Sequence, residues 1–228
     1  MLEKYLALIR ITDLQYAEKL VNEGEVFMNS INSWANLYDN IGRGDQFEGA
    51  DKVEPIRKIV FGGSNNLSKL LNKGTLTRGI YCTQPQININ SFCMTSILES
   101  DIGKEKYFDD RLKQFGDSFV LIRYVNTFTS LIKEQLNKEK SITKHNWDKV
   151  QYYDEFKSNF DLTPFHKRKS LAWQKEVRYI ARNENDGPIT IKIGNISKIA
   201  DIFPIDMLNK VKAIHKHKNI FSIKINNN

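Results

Sequence analysis

No stretch of about 18 consecutive apolar residues occurs, so a helix spanning a membrane is not expected. Cysteine is scarce: Cys82 and Cys93 fall on predicted strands, form no CxxC pair and have no histidine cluster beside them. Free buried thiols in a reducing cytoplasm are expected, and a zinc site, or any metal site, is not. Histidine is equally sparse, and His145, His166, His215 and His217 are isolated or in basic surroundings, with no role assigned to them. The loop Gly62-Gly63-Ser64-Asn65-Asn66 lacks the Lys-Ser/Thr ending of a P-loop. Met1 to Tyr5 carries an early acid and lacks a basic, apolar leader, which predicts a cytoplasmic protein. No internal repeat or low-complexity linker marks a boundary, so residues 1–228 are expected to form a single α+β domain.

What is present suffices for a folded core: 228 residues, 40% of them hydrophobic and 11% aromatic. The formal charge is +7, and it is unevenly spread. Lys167, Arg168, Lys169, Lys175, Arg178 and Arg182 crowd around Glu176, and His215 to Lys218 is a second basic cluster. Such a field suits a polyanion or a phosphate-bearing ligand, although a solvated lysine-rich surface would look the same.

The chain is organised around Leu171 to Arg182. From Trp173 to Ile180 it alternates, with Trp173, Lys175, Val177 and Tyr179 on one side and Gln174, Glu176, Arg178 and Ile180 on the other. That period predicts a strand over 173–180. Glu176 and Arg178 then stand about 6.5–7 Å apart on one face. They are either a solvated ion pair or, with Gln174, part of a catalytic face.

Elsewhere, Tyr5 to Ile11 is a predicted strand holding one cation, Arg10, which is costly to bury without an anion to meet. Thr12 to Gln15 has the spacing of a capping box, a helical stripe follows, and Gly24 closes it before a strand at Val26 to Met28. Asn29 to Asp51 is predicted to be irregular, with Trp34 and Tyr38 embedded in it. Its turn Arg43-Gly44-Asp45-Gln46-Phe47-Glu48-Gly49 gathers charged groups near one point, as a further candidate polar site or as a solvated loop. Strands are predicted at Lys58 to Phe61, Gly79 to Thr83 and Asn90 to Ile97, the last two as a hairpin around Gln84 to Gln86, and a helical turn at Leu67 to Asn72. Further on come a weak helix at Phe108 to Phe115, a strand at Ser118 to Tyr124 and a helix at Thr127 to Lys138. A polar connector (Lys138 to Asn146), a strand (Asp148 to Asp154), a short helix within Phe156 to Lys169, strands at Ile189 to Ile193 and Ile196 to Phe203, a helix at Pro204 to His215 and a last strand at Ile220 to Ile225 complete the expectation.

Three elements in order resemble the ADP-ribosyltransferase superfamily, in its branch with an Arg, a Ser/Thr strand and a Glu. They are Leu8-Ile9-Arg10-Ile11-Thr12 through Gly24, Phe92-Cys93-Met94-Thr95-Ser96 (where Cys93 departs from the usual hydroxyl) and Gln174-Lys175-Glu176-Val177. The chain also resembles a group of uncharacterised bacterial proteins, often of defence loci, through Phe27 to Ser30, Asp45 to Gly49, Phe92 to Ser96 and Glu176 to Arg178. The first resemblance implies mixed and antiparallel sheets flanked by helices, in a split-sheet arrangement, with NAD as cofactor and substrate. It implies that Arg10, near Thr12, binds a phosphate, that Thr95 and Ser96 hold the strand and the nicotinamide ribose, and that Glu176 stabilises the sugar cation formed as nicotinamide leaves. Gln174 would orient the acceptor, a protein or a nucleic acid, and Tyr38 or Trp34 would stack on nicotinamide. Such an enzyme would be a toxin or phage-defence effector.

Two other functions fit the sequence. In a metal-dependent nuclease, Asp45, Glu48 and Glu176 would hold Mg²⁺ and Lys167 to Lys169 would grip the backbone, although no Asp…Glu-x-Lys arrangement occurs. A non-catalytic sensor or partner-binding defence module needs no motif at all.

Overall fold

The computed structural model describes residues 4–35, 37, 43–45, 47–55, 75–77, 80–83, 88–157, 160–217 and 220–225. Strand β1 (Tyr5–Thr12) is apolar on both sides of its pleat, and the architecture follows from covering both. After it come α1 (Leu14–Glu18), which runs on as a π-helical turn over Lys19–Glu23, then β2 (Glu25–Ser30), α2 (Ile31–Ala35), β3 (Lys52–Pro55), β4 (Thr75–Thr77), β5 (Ile80–Thr83) and β6 (Ile89–Leu98). The middle of the chain forms β7 (Ser118–Ile122), α3 (Val125–Leu136), β8 (Ile142–Lys149), β9 (Gln151–Tyr153), β10 (Phe160–Asp161) and β11 (His166–Arg168). The last strands are β12 (Glu176–Asn183), β13 (Ile189–Lys192), β14 (Ala200–Pro204), β15 (Val211–His217) and β16 (Ile220–Ile225). The chain is α+β and mostly antiparallel, as expected.

The main sheet has eight strands, ordered β13-β2-β6-β1-β7-β14, with β12 paired to β6 and β8 paired to β12. One face buries Leu8, Met28, Phe92, Met94, Val177 and Tyr179 beneath α1 and α3, which contribute Ala17, Phe128, Ile132 and Leu136. The other buries Ala7, Ile9, Ile11, Ile97, Phe119 and Leu121 against Phe108, Leu112, Leu208 and Val211. A four-stranded sheet, β10-β3-β5-β4, stands apart, with its own cluster of Phe47, Ala50, Val53, Ile80, Tyr153 and Leu162. Among the described residues no helix is long and apolar enough to cross a membrane.

Several local expectations are corrected. The capping box is absent: Asp13, not Thr12, precedes the helix without a side-chain cap, and the amide of Leu14 donates instead to Asp117 at 2.8 Å. Asn29 to Asp51 is less irregular than predicted, since β2 and α2 extend into it. The hairpin joining β5 to β6 does not form, because β5 pairs with β3 and β4 in the smaller sheet. The supposed connector at 138–146 contains most of β8, a polar edge strand held by backbone pairing to β12, where solvent covers one side and periodicity carries little signal. Among the described residues between Phe156 and His166 no helix forms, and β10 and the start of β11 lie there. Pro204 leads into a short 3₁₀ helix, Ile205–Lys210, and then into β15. The strand expected at Ile196 begins only at Ala200. The elements predicted at 58–61 and 67–72 lie outside the described residues.

β1 ends against Gly116. A Cβ placed there would lie 2.3 Å from the carbonyl carbon of Thr12 and 2.7 Å from its Cα, both backbone atoms that cannot swing aside. Gly116→Ala should therefore cost about 1–3 kcal/mol by overpacking and lower the melting temperature by several degrees. Thermal unfolding followed by circular dichroism checks this; an unchanged midpoint would show that the end of β1 yields freely.

Candidate active site

The site begins with a gap in the sheet. Along one edge of β6, β12 pairs continuously from Ile89 to Thr95. On the other edge, β2 pairs only at Asn90 and Ser91, and β1 only from Thr95 to Leu98. Phe92, Cys93 and Met94 thus have no strand partner on that side, because β1 and β2 diverge around them. Arg10 enters the gap. Its Nη1 donates to the carbonyl of Cys93 at 2.6 Å, and its guanidinium carbon lies 4.9 Å from the centre of the Phe92 ring. Burial pulls the Arg10 pKa down, while Cys93 and Glu176 oppose that shift; a guanidinium stays charged regardless.

The gap opens into a cleft of about 200 Å³ lined by Ile9 to Asp13, Trp34, Arg43, Glu48, Thr95, Lys167, Gln174, Glu176 and Arg178, with Tyr16, Cys93, Met94 and Phe115 completing the wall. Behind it sits a quartet of buried ions. Arg178 Nε donates to Glu176 Oε1 at 2.5 Å, and Lys167 Nζ donates to Glu176 Oε2 at 2.8 Å. Arg178 also forks onto Glu48, Nη1 to Oε1 at 2.5 Å and Nη2 to Oε2 at 2.8 Å. Lys167 Nζ stands 3.8 Å from Glu48. The four side chains are only 1–5% exposed. Two cations and two carboxylates make the quartet formally neutral.

These charges hold one another in place. Burial alone would raise the pKa of Glu176, but the Arg178 and Lys167 charges and their hydrogen bonds outweigh it and hold the carboxyl well below its ordinary range. Burial alone would lower Lys167 and Arg178, and the facing carboxylates push both upward. The backbone amide of Glu176 donates to the Tyr152 hydroxyl at 2.9 Å, which fixes the start of β12. Burial pushes the Cys93 thiol up to about 12, so it is no nucleophile near neutral pH.

The sequence candidates separate into groups. Arg10, Thr12, Thr95, Gln174, Glu176 and Arg178 meet at the cleft, as do Arg43 and Glu48. Thr95 and Glu176 are direct cross-strand partners, and so are Cys93 and Arg178. Ser96 does not line the cleft; its hydroxyl donates to the carbonyl of Lys175 at 3.2 Å. Asp45 lies behind the wall, its Oδ1 2.7 Å from Arg168 Nε. Tyr38 lies outside the described residues.

The predicted strand from Trp173 is corrected: Lys169–Gln174 is a 3₁₀ turn, Lys175 takes a left-handed backbone with φ 47°, and β12 starts at Glu176. Trp173 leaves the strand to pack on Phe115, with Arg111 over its ring. Gln174 still reaches the site, because its Oε1 accepts from Lys167 Nζ at 2.8 Å. Nothing in the sequence singles out Lys167 or Tyr152. Lys167 is one of a basic run, and β11, which turns it inward, is only three residues long and leaves no periodic signal. Trp34 also lines the cleft, with a buried indole N–H that finds no partner among the described residues.

No protein-family model, curated protein or solved structure matches this chain.

Breaking the quartet should be expensive. Arg178→Met leaves two buried carboxylates facing one cation and should cost about 3–5 kcal/mol in urea unfolding. The folded-state pKa of Glu176 is depressed, so its contribution is complete above the ordinary carboxylate range and is lost as pH falls through that range and below. Unfolding free energy should therefore decline on acidification, and Glu176→Gln should flatten the decline. An identical acid slope in that variant would show that Glu176 is not held by its neighbours.

Proposed function

We propose that this protein consumes NAD, cleaving the bond between nicotinamide and ribose and passing ADP-ribose to an acceptor, as the resemblance to ADP-ribosyltransferases implies. The observation that carries this reading is the convergence of Arg10, Thr95, Gln174 and Glu176, distant in sequence, on one cleft where two strands part. In the reaction the C1′–N bond breaks with its electron pair going to nicotinamide, which leaves neutral. The sugar carries the positive charge until the acceptor nucleophile bonds to C1′ and sheds its proton.

Each of these side chains has a task that suits its position. Arg10 is a fixed, partly exposed guanidinium whose fork matches a diphosphate. Glu176 stays ionised, and a carboxylate has about four lone-pair sites, of which Arg178 and Lys167 take two. The rest can face the ribose, where an oriented anion stabilises a developing cation without reorganising. Gln174, fixed through Lys167, presents an amide beside the acceptor position. Trp34, whose N–H has no partner among the described residues, offers the aromatic wall for nicotinamide.

The nuclease alternative is the weaker one, since Arg178 lies between Glu48 and Glu176, and Asp45 is engaged by Arg168. A sensor or partner-binding module makes no use of a buried carboxylate beside an arginine-filled gap in a sheet. The acceptor, protein or nucleic acid, is open, and the net charge of +7 favours an acidic one.

Incubation with NAD labelled in nicotinamide tests the reading. Wild type should release nicotinamide, and Glu176→Gln should release it about 10²–10³ times more slowly while keeping its circular dichroism spectrum. Arg10→Ala should chiefly raise KM for NAD. A wild-type protein that releases no nicotinamide, with or without cell lysate as a source of acceptor, would sink the proposal.

A further inference from the structure

The loop before β3 carries a carboxylate for which ADP-ribosyl transfer has no obvious use, yet the fold goes to some length to bury it. Glu48 is 2% exposed, in a turn tied by three of its amides: Glu48 N donates to Asp45 O at 2.7 Å, Phe47 N to Asp45 Oδ1 at 3.0 Å and Ala50 N to Phe47 O at 3.0 Å. Phe47 and Ala50 anchor the turn in the smaller core. Gly49 takes φ 71°, and a Cβ there would meet Ile31 Cγ2 of α2 at 2.3 Å, so both the backbone and the space call for glycine. The carboxylate is thus pinned before it touches Arg178.

We propose that Glu48 is a positioning residue for Glu176, acting through Arg178, and that it keeps the charge behind the cleft balanced; this rests on the NAD reading. Two features of the geometry support it. Glu48 accepts from both terminal nitrogens of Arg178, with the Pro164 carbonyl sharing Nη1 at 2.6 Å, so the guanidinium is turned to present Nε to Glu176 Oε1 while Lys167 holds Oε2. By supplying the second anion, it cancels the second cation. Without Glu48 the cluster holds Lys167 and Arg178 against Glu176 alone, a net charge of +1. That excess would sit beside a nicotinamide ring that is cationic when bound and a ribose that becomes cationic as the bond breaks. Uncompensated charge at low dielectric acts strongly over such distances.

The test is steady-state nicotinamide release from NAD by the full chain carrying Glu48→Gln, Glu48→Asp, Lys167→Gln or Glu48→Gln with Lys167→Gln. Glu48→Gln should lower kcat about 10–100-fold, the usual effect of removing a residue that orients a reacting group, with KM for NAD changed by less than about twofold. Glu48→Asp keeps the charge but loses reach, and should fall between. The double variant, neutral again, should exceed Glu48→Gln alone, which a merely structural role would not produce. Wild-type kcat in Glu48→Gln, or a double variant as slow as the product of its single losses, overturns the proposal. Should Glu48→Gln not fold, Glu48→Asp decides: about tenfold lower kcat at unchanged KM supports the role, and wild-type kcat overturns it. A wild-type protein inactive on NAD overturns the NAD reading and this inference together; an active wild type with indifferent Glu48 variants overturns this inference alone.

Discussion

A charge removed from water must meet an opposite charge, and at the heart of this molecule that requirement is met four times over. Glu48, Lys167, Glu176 and Arg178 come from a loop, a short parallel strand pair and the start of a central strand, yet none has its usual hydration. Any one of them alone would be intolerable at that depth. Together they are neutral, and each fixes where the others stand. The cluster therefore acts as a register pin: the turn at 47–49, β11 and β12 can adopt only the arrangement in which the ions meet.

The second constraint is the divided edge of β6. A strand flanked by one partner throughout would be a closed wall. Here β1 and β2 each pair with one end of β6 and leave three residues between them uncovered. Backbone groups left in such a gap need partners, and the guanidinium of Arg10 supplies one by reaching the Cys93 carbonyl. The same departure from a regular ladder creates the cleft. The cleft is thus lined both by a cation from β1 and by the buried ion quartet.

Around this, the left-handed Lys175 has a clear purpose. It ends the 3₁₀ turn, redirects the chain into β12 and sends its own ammonium away from the cleft to the buried Asp101 at 2.5 Å. Non-glycine residues pay strain in that conformation. The bends on either side of Lys175 let Gln174 and Glu176 reach the same lysine from two different kinds of structure.

The amino-acid sequence by itself determined the α+β class, the apolar strands β1, β6 and β7, the helix α3, and the candidacy of Arg10 and Glu176, because apolar periodicity and lone polar residues within it are local signals; Thr95 became a candidate only through the family resemblance. The pairing of Glu176 with Arg178 was legible for the same reason, since i and i+2 share a strand face. Only the tertiary structure decided that the pair is buried rather than solvated, that Glu48 completes it across 130 positions of chain, and that Lys167 turns inward from a run of basic residues. Those contacts depend on which strands become neighbours, and strand neighbours are chosen by the burial of whole faces. A polar edge strand such as β8, or a three-residue strand such as β11, leaves almost no trace in local periodicity, so its place is set by its partners.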